Sequence, residues 1–280
     1  MTDPNHGTPR TAAALLDDLE RYYDAVPRGS ARAEDFGPLT LFVREDGGGP
    51  FYARPTRGVV TPPTPEQVQA VRSRQRELGL PQAFEWVAEV APGLRAAVER
   101  AGLKVSEHPL LALSAEVPVE QDHVGGAAAV RVLDADDPDL PEAIAAQHLA
   151  FGTPGTALGA VGLPEQERET ASRLADGTVD RSRARVRSGA TVFAAALQDV
   201  HAVSAGQHNP VGAVSEIVGV ATLPAYRRRG LGLAVTSALV ADARAHAVST
   251  VFLSAEDDDV ARIYERLGFQ RVGTALIAEG

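Results

Sequence analysis

The 280-residue chain reads as an α/β protein with a mixed sheet, built in two domains. Length suggests the number, since domains run roughly 100–200 residues. The class comes from 215–239, where strand-favouring residues give way, across a glycine-rich turn, to apolar residues at three- and four-residue steps. The third observation is an internal repeat. Glu99-Arg100-Ala101-Gly102-Leu103 lines up with Glu265-Arg266-Leu267-Gly268-Phe269, and the same register sets Phe84-Glu85-Trp86-Val87 against Thr250-Val251-Phe252-Leu253. Both copies read as strand, helix, Gly-hydrophobe, strand. The expected domains are 11–118 and 127–280, joined by a linker at 117–126 (VPVEQDHVGG).

In order, residues 1–10 read as a loose tail. Ala14, Leu15, Leu19 and Tyr22 give 11–23 helical spacing. Short strands are expected at 39–43 and 51–53, on either side of the turn-rich 45–50 (EDGGGP). Thr61-Pro62-Pro63-Thr64-Pro65 leads rigidly into a helix over 66–78, with Thr64 as its N-cap and Pro65 in the first turn. A strand at 84–88 and a helix at 93–101, closed by Gly102, complete the first half. Beyond the linker, 127–133 reads as a strand, 139–151 as a helix, 152–162 as a Gly/Ala-rich loop and 164–175 as a helix. Arg181, Arg183, Arg185 and Arg187 alternate, as on one face of an extended segment. Residues 191–197 and 201–205 form a hairpin, 207–210 (QHNP) a turn, and 250–256 a strand. A last helix is opened by Asp257-Asp258-Asp259, which suit its dipole and its cap.

The ligand class that 215–233 (SEIVGVATLPAYRRRGLGL) can hold is set by its parts. Ile217, Val218, Val220 and Thr222 favour a strand, which Leu223-Pro224 ends. The turn Arg227-Arg228-Arg229-Gly230-Leu231-Gly232 then opens a helix carrying Leu231, Ala234, Val235, Ala238 and Leu239 on one side. Unbonded N–H groups, the positive dipole end, three guanidinium groups and two glycines that permit close backbone approach together suit a ligand with several phosphates. A nucleotide-hydrolase P-loop is excluded: it needs a lysine after its second glycine, and the one lysine here is Lys104. A dinucleotide fingerprint needs a third glycine where Val235 stands. The Arg-x-x-Gly-x-Gly turn after Thr-Leu-Pro, with 250–256 (TVFLSAE) and the Tyr-x-x-x-Gly-Phe ending of 261–269 (ARIYERLGF), resembles the coenzyme A pyrophosphate loop and C-terminal segment of the GNAT superfamily, the acyl-CoA-dependent N-acetyltransferases. The resemblance covers about 127–280.

That resemblance implies two GNAT-like domains, each a twisted, mostly antiparallel sheet with a splayed central strand pair and flanking helices. It implies acetyl-CoA as cosubstrate, with the pantetheine arm on Val220, Ala221 and Thr222. The pyrophosphate would lie on Arg227, Arg228, Arg229, Gly230, Leu231, Gly232 and Leu233. Tyr264 matches the family's general acid, and a phenol of pKa ~10 still carries its proton at neutral pH. Tyr264 also belongs to the stripe Val260, Ile263, Tyr264, Leu267, so a packed core tyrosine is the alternative. Glu216 resembles the strand glutamate that histone-type members use as base; the alternative is a solvated strand-end carboxylate, with the amine deprotonated through ordered water. The first half departs from the pattern twice. Val98 takes the place of Tyr264, and Pro62-Pro63-Thr64-Pro65 stands where a phosphate loop belongs, with prolines that have no N–H to donate. A degenerate, structural copy that binds no CoA is expected there.

Composition narrows the chemistry. A net charge of −10 argues against general nucleic-acid affinity and favours a cationic partner, so the expected acceptor is a small-molecule or peptide amine. The chain has no cysteine, which excludes a thiolate metal site and a cysteine-bound acetyl intermediate; direct attack in a ternary complex is the expected route. No metal is expected. His201 and His208, without metal-ligand spacing, read as surface hairpin residues. No basic-then-apolar leader or bilayer-length apolar run is found, so a cytoplasmic protein with no membrane partner is expected. The alternative function is a non-catalytic acyl-CoA-binding or regulatory protein, with a nucleotide-binding oxidoreductase a more distant third.

Overall fold

The structure, a computed structural model, describes residues 11–45, 47–114, 117, 129–153 and 155–280. The expected tail at 1–10 and the expected linker at 117–126, apart from Val117, lie outside these residues. The chain forms two compact units, one of Met1–His108 with Val272–Gly280 and one of Pro109–Arg271. The expected domains, 11–118 and 127–280, follow chain order. The units do not, because the last strand of the chain returns to pair within the first unit.

In the first unit, Thr11 caps helix α1 (Ala12–Arg28), its hydroxyl accepting from the Ala14 N–H at 3.2 Å. The helix runs beyond Tyr23 to Arg28 and stops one residue after Pro27, which has no N–H to give the preceding turn. Strands β1 (Ala31–Asp35), β2 (Leu39–Arg44) and β3 (Arg54–Pro55) form an antiparallel sheet. β1 (ARAED) carries no large apolar residue, and the strand expected at 51–53 falls at 54–55, with Ala53 bridged to Phe84. Helix α2 (Pro65–Glu77) opens with the expected Thr64 cap. Then come β4 (Ala83–Val87), α3 (Leu94–Arg100) and β5 (Lys104–Ser114). The final strand, β11 (Gln270–Glu279), pairs antiparallel with β4, Val87 opposite Ala275 and Ala83 opposite Glu279. Leu39, Leu41, Val71, Phe84, Trp86, Leu94, Val98 and Leu276 make this unit's core.

The second unit is built from β6 (Ala129–Leu133), α4 (Leu140–Phe151), α5 (Leu163–Ala175), α6 (Thr178–Arg187), β7 (Val192–Gln198), β8 (His201–Val211), β9 (Val214–Thr222), α7 (Leu231–Ala245), β10 (Thr250–Ser254) and α8 (Asp258–Glu265). Residues Leu110 to Ser114 of β5 pair antiparallel with β10, and the strand order is β5-β10-β9-β8-β7-β6. Among the described strands of this unit, only β9 and β10 run parallel. The mixed, mostly antiparallel sheet that was expected is therefore present. On one face, α7, α8 and the turn after α8 cover Leu111, Val203, Ile217, Val251 and Leu253 through Val235, Leu239, Ala261 and Leu267. On the other, Leu140, Ala143 and Ile144 of α4 and Val179 of α6 cover Leu133, Phe193 and Ala195.

Three expectations are overturned here. The four alternating arginines lie in helix α6, not in an extended segment. Arg and Ala are strong helix formers, Gly177 starts the helix in a left-handed turn, and Val179 anchors it; Arg183 pairs with Asp180 at 3.2 Å and Arg187 with Asp136 at 2.5 Å. Residues 207–210 continue β8, and the chain reverses instead at Gly212, φ +58°. His208 is 1% exposed rather than at the surface. Strand alternation turns it towards α7, where Nε2 donates to Asp242 at 3.0 Å and Nδ1 accepts from the Ser215 hydroxyl at 2.8 Å. Burial lowers its pKa, partly offset by Asp242.

Candidate active site

The site is built around the point where β9 leaves β10. The two strands pair only from Val214 to Glu216 against Thr250 to Phe252. β10 continues to Ser254 along β5, while β9 continues to Thr222 along β8. Residues 217–222 thus have β8 on one edge and, among the described residues, no strand partner on the other, and the expected parting of the central pair is observed.

A bulge sharpens the departure. Gln207 lies opposite Val218 and Ala205 opposite Ala221, so Gly219 and Val220 share the single position of Gly206. Gly219 takes φ +68°, open to glycine at little cost. The extra residue reverses the facing of the rest of the strand. Ile217 packs on the core under α7, and Val220 returns to that same face: a Cβ on Gly206 would meet Val220, Val235 and Leu239 at 3.0 to 3.2 Å. Val220 and Thr222 also stand over Gly232, each within 3.7 Å of where its Cβ would be. The Ala221 carbonyl accepts from the Ser204 hydroxyl at 2.9 Å, and the Thr222 carbonyl from Arg227 Nε at 3.3 Å.

One residue at the bulge carried no motif. Gln147 of α4 is 9% exposed, and its Nε2 donates to the Gly219 carbonyl at 2.8 Å. The only signal in the sequence is an amide interrupting the apolar run of 143–150 (AIAAQHLA).

Past a short turn at Pro224–Tyr226, Arg228 takes φ +62° and Gly230 φ +77°, and α7 begins at Leu231. No side chain caps this N-terminus, and its first turn holds no acidic residue. The N–H groups of Leu231, Gly232 and Leu233 therefore open at the positive dipole end, where an anion is stabilised. The three arginines have separate roles. Arg228 is exposed. Arg229 donates to Gln198 at 2.9 Å and lies 5.0 Å from the Tyr226 ring centroid. Arg227 faces inward, donating to the carbonyls of Thr222, Ala150, Thr153 and Ala157. Expected among the diphosphate ligands, its guanidinium is instead engaged in tying the α4–α5 loop to the end of β9. Two main-chain bonds reinforce that tie, Gly159 N–H to the Pro224 carbonyl at 3.1 Å and Ala225 N–H to the Val161 carbonyl at 3.0 Å.

Tyr264 packs on the core that α7 and α8 make with β9, its ring 6.1 Å from that of Phe269 at 62°. Burial pushes the phenol up to about 12. Among the described residues its hydroxyl has no hydrogen-bond partner. Glu216 is half-buried on the opposite face, because its neighbours Ser215 and Ile217 both turn towards α7. Asp257 caps α8 as expected, accepting from the Val260 N–H at 2.8 Å. No group of His, Asp and Glu among the described residues is arranged to hold a metal ion, and no helix among them is long and apolar enough to cross a membrane.

Residues 163–269 match the Acetyltransferase (GNAT) family model. The fold is a GNAT fold. Among solved structures, a GCN5-related N-acetyltransferase from Kribbella flavida superposes with a TM-score of 0.69 at 21% identity, covering 95% of each chain. A GCN5-related N-acetyltransferase from Sphaerobacter thermophilus gives 0.55 at 16% identity, over 94% of this chain and 84% of the other. A tandem GNAT protein from the clavulanic acid biosynthesis pathway gives 0.53 at 15% identity, over 86% of this chain and 78% of the other. No curated protein sequence matches the chain significantly.

Proposed function

We propose that the chain is an N-acetyltransferase, moving acetyl from acetyl-CoA to the primary amine of a small molecule or peptide by direct attack in a ternary complex. The observation that carries this reading is the parting of β9 from β10 directly before an uncapped helix N-terminus. The diphosphate would lie on the N–H groups of Leu231, Gly232 and Leu233, with Arg228 and Arg229 at its flank. The pantetheine arm would follow the free edge of β9 along Val220, Ala221 and Thr222.

In this reading the acid and the base stand on opposite faces of the gap. Glu216 takes the proton of the attacking amine from one side. The main chain of β9 donates to the tetrahedral oxyanion, an interaction worth about 3–4 kcal/mol in comparable holes. From the α8 side, Tyr264 gives its proton to the departing thiolate, and a phenol raised to about 12 holds that proton throughout the neutral range. The N-terminal copy would serve a structural role without binding CoA. Its β4–α3–β5 repeats the order of β10–α8–β11, down to glycines at φ +87° and φ +91° after the helices, Gly102 and Gly268.

The test is the release of free thiol from acetyl-CoA in the presence of a panel of primary amines, with thermal shift as a parallel readout of binding. Amine-dependent release is expected. Protection by acetyl-CoA without release under any amine would leave an acyl-CoA-binding protein and remove the enzyme.

A further inference from the structure

Gln147 sits at a place where a side chain can set the geometry of a main-chain donor. Its Nε2 holds the Gly219 carbonyl at 2.8 Å, from helix α4, whose Leu140, Ala143 and Ile144 pack on the face of the sheet opposite α7. A Cβ on Gly219 would come within 2.6 Å of that same Nε2, so the amide lies directly against the bulge. The Gly219–Val220 peptide is trans, as are all others described. In a trans peptide the carbonyl and the following N–H point in opposite directions. Tethering the Gly219 carbonyl towards α4 therefore aims the Val220 N–H away from α4, and keeps the peptide from rotating back towards regular strand geometry.

We propose that Gln147 is a positioning residue for acyl transfer, holding the Gly219–Val220 peptide in the orientation that presents the main chain of β9 to the thioester. The inference rests on the acetyltransferase reading and adds to it a residue from outside the cofactor turn and outside the acid–base pair. The amide is suited to the task because it is neutral. A carboxylate at 147 would lack the donor and face a carbonyl oxygen, and a leucine would leave that carbonyl without its partner.

The test compares Gln147→Glu, Gln147→Leu and the donor-keeping Gln147→His with the parent in the full chain. Turnover of acetyl-CoA with an accepted amine, the acetyl-CoA Kd and the thermal midpoint are measured for each. Misplacing a reacting group by about 1 Å can cost about 100-fold in rate, so kcat is expected to fall about 10- to 100-fold in the Glu and Leu variants. Kd for acetyl-CoA should stay within about threefold of the parent, and Gln147→His should recover most of the loss. A purely structural role would instead lower the midpoint and weaken Kd while leaving kcat per folded molecule unchanged, and that result overturns the proposal. So does a folded Gln147→Glu or Gln147→Leu variant with parental kcat. Should the parent itself release no thiol with any amine, the acetyltransferase reading fails first and this inference fails with it. Parental turnover retained in the variants sinks the inference alone.

Discussion

Helices α2 and α7 each begin after a turn that leads into a helix, yet their N-termini are finished in opposite ways. At α2, the Thr64 hydroxyl accepts from the Gln67 N–H at 3.4 Å and the Gln67 side chain accepts from the Thr64 N–H at 2.9 Å, a reciprocal capping box. Pro65 contributes no N–H, and Glu66 already places a carboxylate in the first turn. The groups an anion would use are absent or occupied by the chain's own oxygens. At α7, Gly230 caps nothing, the first turn holds no acid and Gly232 leaves the backbone bare. The contrast rests on a few side chains: the same dipole is satisfied internally in one case and left open, for the proposed diphosphate, in the other. The difference extends along the repeat, where the place of Tyr264 on α8 is taken on α3 by Val98, which is fully buried.

Closing the α7 N-terminus with a carboxylate is the strongest way to break the contrast. Asp tolerates a left-handed φ better than most residues, so Gly230→Asp can be accommodated while its charge lies against the proposed diphosphate. Like charges brought together at a binding site cost several kcal/mol, and acetyl-CoA affinity measured by calorimetry should weaken by about 100-fold or more. The thermal midpoint without ligand should move little. Affinity within about threefold of the parent would place the diphosphate elsewhere.

A smaller effect is expected at the proposed acid. Tyr264→Phe should lower kcat by about 10- to 100-fold, in the range of a lost proton donor, with acetyl-CoA Kd changed less than about twofold. Unaltered turnover would leave Tyr264 as a packed core residue. Its titration supplies an independent check. Burial raises the folded pKa to about 12, above the ordinary phenol value of about 10. The folded state therefore holds the proton more tightly than the unfolded one. The stability this contributes is fully present below about pH 10 and is lost as pH rises towards about 12. Denaturant midpoints across that window should fall more steeply for the parent than for Tyr264→Phe.

The parts of this arrangement that obey local rules were legible in the sequence. The α7 turn, the Thr64 and Asp257 caps and the end of β9 at Leu223-Pro224 depend on residues within a few positions of one another, and each falls as expected. The rest is decided by partners far along the chain. His208 is buried because Asp242, on another element, satisfies the ring nitrogen that a surface position would have left to water. Alternating arginines suggest a strand, yet Val179 fixes a helix by packing on Phe193 and Leu133. Arg227 matches a diphosphate motif, but the carbonyls of Ala150, Thr153 and Ala157 take its guanidinium. Gln147 matches no motif, since its role depends on a carbonyl in β9.

The smallest effect tests the other side of the contrast. If α2 is closed to anions because its own side chains fill the N-terminus, removing one of them should cost stability without creating a binding site. Thr64→Ala leaves the Gln67 N–H without its side-chain acceptor and should lower stability by about 1 kcal/mol, read as a shift in the urea midpoint. Pro65 still withholds an N–H and Glu66 still repels a phosphate, so acetyl-CoA should bind with unchanged stoichiometry and affinity. A second equivalent of acetyl-CoA bound by Thr64→Ala would mean that the cap alone had been excluding it, and that the first half of the chain retains more of a cofactor site than its prolines suggest.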